Sequence, residues 1–160
     1  MKDIQKILIA NRGEIAVRII RTCRELGIST VAVFSEADKK AVFVQQADEG
    51  FLLPGVQAAD TYLNQDRIIE IAQQSGSDAI HPGYGFLAEN TSFSKKCEDN
   101  GIIFIGPKAE VIEAMGSKVN AKQLAKEAGV PTIPGFEGKQ DAKVFKKEAK
   151  KIGYPVLLKA

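Results

Sequence analysis

The stretch Ile7-Leu8-Ile9-Ala10-Asn11-Arg12-Gly13-Glu14-Ile15-Ala16 opens with four apolar residues in a row and then changes period. Ile7–Ala10 is a continuous apolar run of strand length, with none of the polar alternation of a half-exposed strand. Such a run fits a strand buried on both faces, the kind from which parallel sheets are built. Beyond it, Ile15, Ile19, Ile20, Cys23 and Leu26 recur three and four apart, which puts them on one helix face. Arg18, Arg21, Arg24 and Glu25 fall mainly off that face, and Gly27 stops the helix.

The same alternation continues outward. Thr30–Phe34 reads as a second buried strand, residues 40–47 as a short helix and Phe51–Leu53 as a short strand. Pro54–Tyr62 is a loop. Ile68, Ile69, Ile71 and Ala72 mark a helix closed at Ser75-Gly76, and Ala79-Ile80 begins a strand ending at His81-Pro82. A helix from about Asn90 carries Phe93 and Cys97 one turn apart, and Ile102–Ile105 is the next strand. Strands buried on both faces and separated by helices demand right-handed crossovers and a parallel sheet. The expected fold class is α/β, a Rossmann-like parallel sheet over residues 1–106.

After Gly106-Pro107 helix follows helix: Ala109–Met115, then Lys118–Ala128, ended by Gly129-Val130-Pro131. Thr132–Gly138 is a Pro/Gly loop. Asp141 is placed to cap a helix whose apolar face is Val144, Phe145, Ala149 and Ile152. Tyr154–Ala160 then reads as a strand, and a lone apolar strand at a terminus leaves an unpaired edge. Residues 107–160 are therefore expected to be the opening of a second domain, truncated at Ala160.

Composition excludes several classes. At 160 residues, 44% hydrophobic and 26% charged, the chain is long enough and apolar enough for a real core. No apolar run approaches the ~20 residues of a membrane span. A net charge of +2 gives no general case for nucleic acid. The run Lys139, Lys143, Lys146, Lys147, Lys150 and Lys151 reads as solvated helix surface, because no aromatic platform is interleaved beyond Phe145. Cys23 and Cys97 have no CxxC spacing and His81 is the single histidine, which argues against a zinc cluster. With no hydrophobic leader, the expected location is the reduced cytoplasm.

Three places carry candidate chemistry. The turn Ala10-Asn11-Arg12-Gly13-Glu14 sits where dinucleotide folds place a three-glycine fingerprint, but it has Gly13 alone, and Glu14 puts an anion at the helix start. A structural turn with Arg12 in a salt bridge is the competing reading. His81-Pro82-Gly83-Tyr84-Gly85-Phe86 follows a strand on the edge where α/β sheets bind ligands. Gly83 and Gly85 allow tight backbone there, and Tyr84 offers a flat face and a hydroxyl; a structural turn with Phe86 in the core remains open. Lys118 begins a helix and Lys159 ends an apolar strand, where an unpaired charge asks for an anion such as phosphate; plain surface lysines are the competing reading, more easily for Lys118, and spacing alone does not bring the two together.

Several strings, in order, resemble the biotin carboxylases: Ile7 to Ala16, then Ile80-His81-Pro82-Gly83-Tyr84-Gly85-Phe86-Leu87-Ala88-Glu89-Asn90, Phe104-Ile105-Gly106-Pro107, Met115-Gly116-Ser117-Lys118, Ala128-Gly129-Val130-Pro131 and Gly153-Tyr154-Pro155-Val156-Leu157-Leu158-Lys159-Ala160. The resemblance implies a pre-ATP-grasp domain followed by the start of an ATP-grasp domain. It implies carboxylation of biotin with bicarbonate and MgATP, biotin being held on a carrier domain that serves a carboxyltransferase. Lys118 and Lys159 match the family's ATP-phosphate lysines, and Tyr84 and Gly85 match part of the wall where biotin lies. Arg18, Arg21 and Glu25 fall on a helix that contributes to a homodimer interface in bacterial members. Family members are much longer, and the Mg²⁺ carboxylates and bicarbonate-binding residues lie in their later part. No catalytic residue or metal ligand is therefore expected within these residues, and the fragment alone is expected to be inactive. The alternatives are a non-catalytic Rossmann-like assembly module and a fragment of another ATP-grasp ligase.

Overall fold

The computed structural model of the chain describes residues 3–136, 138 and 141–157, apart from the side chains of residues 118 and 119. The chain divides into two compact units, Met1–Glu113 and Ala114–Ala160.

The first unit is an α/β layer structure around five parallel strands: β1 (Lys6–Ile9), β2 (Ser29–Ser35), β3 (Glu49–Leu53), β4 (Ala79–His81) and β5 (Ile103–Phe104). Their order across the sheet is β3-β2-β1-β4-β5. In register, Leu8 stands beside Val31 on one side and Ile80 on the other. Strand order reverses direction between β1 and β4, and α/β sheets open a crevice at such a switch, outside the carboxyl ends of the strands.

The period of two explains why Ile7–Ala10 is apolar throughout. Leu8 and Ala10 enter one buried cluster with Val31, Val33, Ile71 and Phe93, whereas Ile7 and Ile9 enter a second with Ile19, Ile20, Ala32 and Phe43. Helices α1 (Gly13–Glu25) and α2 (Val42–Gln46) contribute to the second cluster, and α3 (Gln65–Gln74) and α4 (Thr91–Asp99) to the first. Each fully buried Leu or Ile contributes about 1.5–3 kcal/mol. Leu26, expected on the buried face of α1, is instead exposed: the helix ends at Glu25 and Leu26 is its C-cap. Asn64 and Asn90 start α3 and α4 by accepting from the backbone N–H groups of Arg67 and Phe93.

Helix α5 (Ala109–Gly116) crosses the boundary between the units. The second unit holds α6 (Lys118–Glu127) and α7 (Ala142–Ile152). Ser117 caps α6 through Asn120 N–H, and Asp141 caps α7 as expected, accepting from the N–H groups of Lys143 and Val144. Val144, Phe145 and Ala149 are half-buried, with Phe145 edge-on to Phe136, and the α7 lysines are exposed. The strand expected over Tyr154–Ala160 has no ladder among the described residues, which stop at Leu157. A strand exists only against a neighbour, and no other strand lies within this unit's described residues.

Candidate functional site

The carboxyl ends of β1 and β4 are joined one residue beyond the ladder, where Ala10 N–H donates to His81 O at 2.9 Å. From that joint the chain leaves in two directions: Asn11-Arg12-Gly13 into α1, and Pro82–Phe86 into the loop before α4. Asn11 is buried, and its carboxamide ties the two exits together. Its Nδ2 donates to Pro82 O at 2.7 Å and to Tyr84 O at 2.8 Å, while its Oδ1 accepts from Arg12 N–H at 2.9 Å. Gly83 fits under this clamp because it has no side chain: its φ is +64°, and a Cβ would stand 2.8 Å from Asn11 Nδ2. Its N–H donates to His81 Nδ1 at 3.0 Å. Burial pushes the His81 imidazole below its ordinary pKa, which keeps that nitrogen free to accept.

Tyr84 therefore stands on a pinned backbone with its side chain turned outward; the residue is 63% exposed. Gly85, φ +66°, has open space where a Cβ would be. Phe86 sits at φ +41°, a left-handed conformation unusual for an aromatic residue. Its ring stacks on Tyr62 at 5.2 Å, and the Arg12 guanidinium lies over both rings, 5.5 Å from Tyr62 and 5.8 Å from Phe86.

The partner of Arg12 is Asp38, at 3.4 Å. Asp38 Oδ2 also accepts from Tyr62 Oη at 2.6 Å and Ser35 Oγ at 2.9 Å, and Ser35 N–H donates to Tyr62 Oη at 3.2 Å. Burial alone would raise the Asp38 carboxyl; the hydrogen bonds from Tyr62 and Ser35 and the Arg12 charge outweigh it and hold the group below its ordinary value. Tyr62 is pushed up to about 12, by burial first and then by donation to Asp38. The expected salt bridge of Arg12 is thus present. Its partner, and the tyrosine between them, could not be found from sequence, since Asp38 is one charge in the run Glu36-Ala37-Asp38-Lys39-Lys40. Asn11 had one weak signal: a polar residue directly after a fully buried strand.

The other expected residues lie elsewhere. Arg18, Arg21 and Glu25 are exposed on α1. Arg18 pairs with Glu14 at 3.6 Å, and Arg18 and Arg21 line an open groove of about 780 Å³ with Val17, Val42 and Phe43. Arg24 is separately occupied, donating to Gln46 O at 2.9 Å. Lys118 begins α6, but its side chain, and the whole of Lys159, lie outside the described residues. Cys23 and Cys97 are buried free thiols, both pushed up by burial, Cys97 to about 12. Among the described residues no helix is long and apolar enough to cross a membrane.

Residues 3–112 match the family model for the biotin carboxylase N-terminal domain. The chain belongs to the biotin carboxylase family. Residues 117–160 match the ATP-binding domain of the carbamoyl-phosphate synthase L chain, the start of an ATP-grasp domain. Among curated relatives, biotin carboxylase 1 of Bacillus subtilis is 54% identical over 158 residues, 98% of this chain and 35% of its own length. The methylcrotonoyl-CoA carboxylase subunit alpha, mitochondrial, of Dictyostelium discoideum is 56% identical over 161 residues, 23% of its length. Among solved structures, the biotin carboxylase domain of a thermophilic 2-oxoglutarate carboxylase bound to bicarbonate superposes with a TM-score of 0.89 at 55% identity, covering 98% of this chain and 35% of that one. A dimer of the Hydrogenobacter thermophilus 2-oxoglutarate carboxylase domain, with MgADP and bicarbonate, superposes at 0.86 and 52%, covering 97% of this chain and 34% of that one. The chain thus spans about a third or less of these relatives.

Proposed function

We propose that the chain is the N-terminal portion of a biotin carboxylase subunit, which uses MgATP and bicarbonate to carboxylate biotin on a carrier. In this reading residues 1–106 form the pre-ATP-grasp domain and residues 107–160 the linker and first elements of the ATP-grasp domain. The observation that carries it is the pinned loop Pro82–Phe86 at the switch-point edge of the sheet. There Tyr84 offers an exposed aromatic face beside open backbone at Gly85. That surface fits one wall for a small flat ring such as the ureido ring of biotin. Lys118 and Lys159 are read as the two cations for ATP phosphates, each a point charge for a phosphoryl oxygen. The Mg²⁺ ligands belong to the later part of the subunit.

The carrier domain and a carboxyltransferase are the proposed partners, and the α1 face with Arg18, Arg21 and Glu25 is the proposed homodimer contact. A reduced compartment, the cytoplasm, suits the two free buried thiols. The test begins with the coding sequence after codon 160, where several hundred codons and a glycine-rich loop are expected. It continues with ADP release by the complete subunit. Turnover is expected to depend on both biotin and bicarbonate, and to be absent from the 160 residues alone. A stop codon directly after residue 160, or turnover indifferent to biotin, refutes the reading.

A further inference from the structure

We propose that Asn11 is a positioning residue: its carboxamide sets the place at which Tyr84 and Gly85 meet the biotin ring. This rests on the reading of the Tyr84 loop as part of the biotin wall. Asn11 touches no substrate in that reading; it acts through the loop.

The chemistry of the clamp is specific to asparagine. Two carbonyls, Pro82 O and Tyr84 O, converge on one point and need two donors, while Arg12 N–H beside them needs an acceptor. A carboxamide has two N–H donors and one oxygen in that arrangement. Aspartate keeps the acceptor and loses both donors, leaving a carboxylate against two carbonyls. Apolar side chains of similar size supply nothing. The two carbonyls bracket Gly83, so they fix the path of the residue before Tyr84 and of Tyr84 itself. Asn11 is 3% exposed, and its amide lies against the Gly83 backbone, where a Cβ would stand only 2.8 Å from Nδ2. The contact to Pro82 O is buried, and a buried carbonyl left without its donor is costly, which favours local rearrangement of the loop. Arg12, the next residue, holds the far side of the loop at Phe86. The turn that lacks a dinucleotide fingerprint is thereby given a different use: it holds a neighbouring loop instead of cradling a pyrophosphate.

The test compares Asn11→Asp with Thr30→Val. Thr30 bonds Asp48 at the opposite end of β2, so that variant lowers stability without reaching the loop. In the complete subunit, Asn11→Asp is expected to raise KM for free biotin about tenfold, a displacement equivalent to about 1.4 kcal/mol, with KM for ATP nearly unchanged. Thr30→Val should lower the melting temperature and leave both KM values in place. In the 160-residue chain, hydrogen exchange at the Gly83 and Ala88 amides should quicken in Asn11→Asp beyond any change at β1. Should Asn11→Asp not fold, Asn11→Ala removes the donors without adding charge. If Asn11→Asp shifts the biotin KM no more than Thr30→Val does, Asn11 is merely structural and the proposal is wrong. If the wild-type subunit shows no biotin-dependent turnover, the functional reading fails and takes the proposal with it; the exchange data then report separately whether the clamp exists.

Discussion

Replacing Gly83 by alanine tests the geometry of the site most sharply, because Gly85 supplies an internal control. Both glycines have nearly the same left-handed backbone, φ +64° and +66°. An L side chain in that region costs roughly 1–2 kcal/mol wherever it occurs. The surroundings differ. A Cβ on Gly85 meets nothing within 4 Å, whereas one on Gly83 would lie 2.8, 3.1 and 3.2 Å from Nδ2, Cγ and Cβ of Asn11. Asn11 is itself buried, so it yields only by giving up its bonds to Pro82 O and Tyr84 O. Of the two contacts the one to Pro82 O is buried, and leaving that single acceptor unpaired costs about 1–3 kcal/mol. Gly85→Ala should therefore cost roughly 1–2 kcal/mol, and Gly83→Ala about 2–5 kcal/mol in all. Urea unfolding of the 160-residue chain, followed by circular dichroism, measures both. Equal losses for the two variants would mean that the Asn11 clamp contributes nothing and that the account of the loop is wrong.

Three other outcomes are expected. Tyr62→Phe keeps the ring stacked on Phe86 but removes the hydroxyl between Ser35 N–H and Asp38; it should cost about 1.5–3 kcal/mol and bring the Asp38 carboxyl back toward its ordinary value, which carboxyl titration by NMR would register. His81 is held neutral by burial, so the unfolded chain takes up a proton that the folded chain resists; stability should be full above the ordinary histidine value of 6.5 and fall as pH drops through it, with a shallower fall in His81→Gln, measured by urea midpoints at successive pH values. Glu25→Arg in the complete subunit should weaken a homodimer, since like charges at an interface can cost several kcal/mol, and unchanged sedimentation at micromolar concentration would remove α1 from the interface.

The strands and their burial were legible because Ile7–Ala10 and Val31–Phe34 are short apolar runs without alternation, bounded by turn residues and separated by helical periods, the pattern of a sheet covered on both faces. Helix α1 was legible from its period, and Asp141 from its place before an amphipathic run. Leu26 misled because periodicity does not say where a helix stops being covered. The tyrosine loop was legible as a ligand-edge candidate, but what holds it was not. Asn11 bonds residues 71 and 73 positions away, and Tyr62 reaches Asp38 across 24. These are single polar contacts between distant loops, which leave no period or spacing in the sequence. They exist because the parallel sheet brings the ends of β1, β2 and β4 to one edge.

The most direct measurement is transfer of label from radiolabelled bicarbonate to free biotin by the complete subunit carrying these residues, with MgATP. Acid-labile, biotin-bound label is expected, requiring ATP and falling sharply in Tyr84→Ala at a fixed biotin concentration below KM. A folded subunit that hydrolyses ATP yet places no label on biotin, or a Tyr84→Ala variant that labels biotin as well as the wild type, would contradict the proposed function.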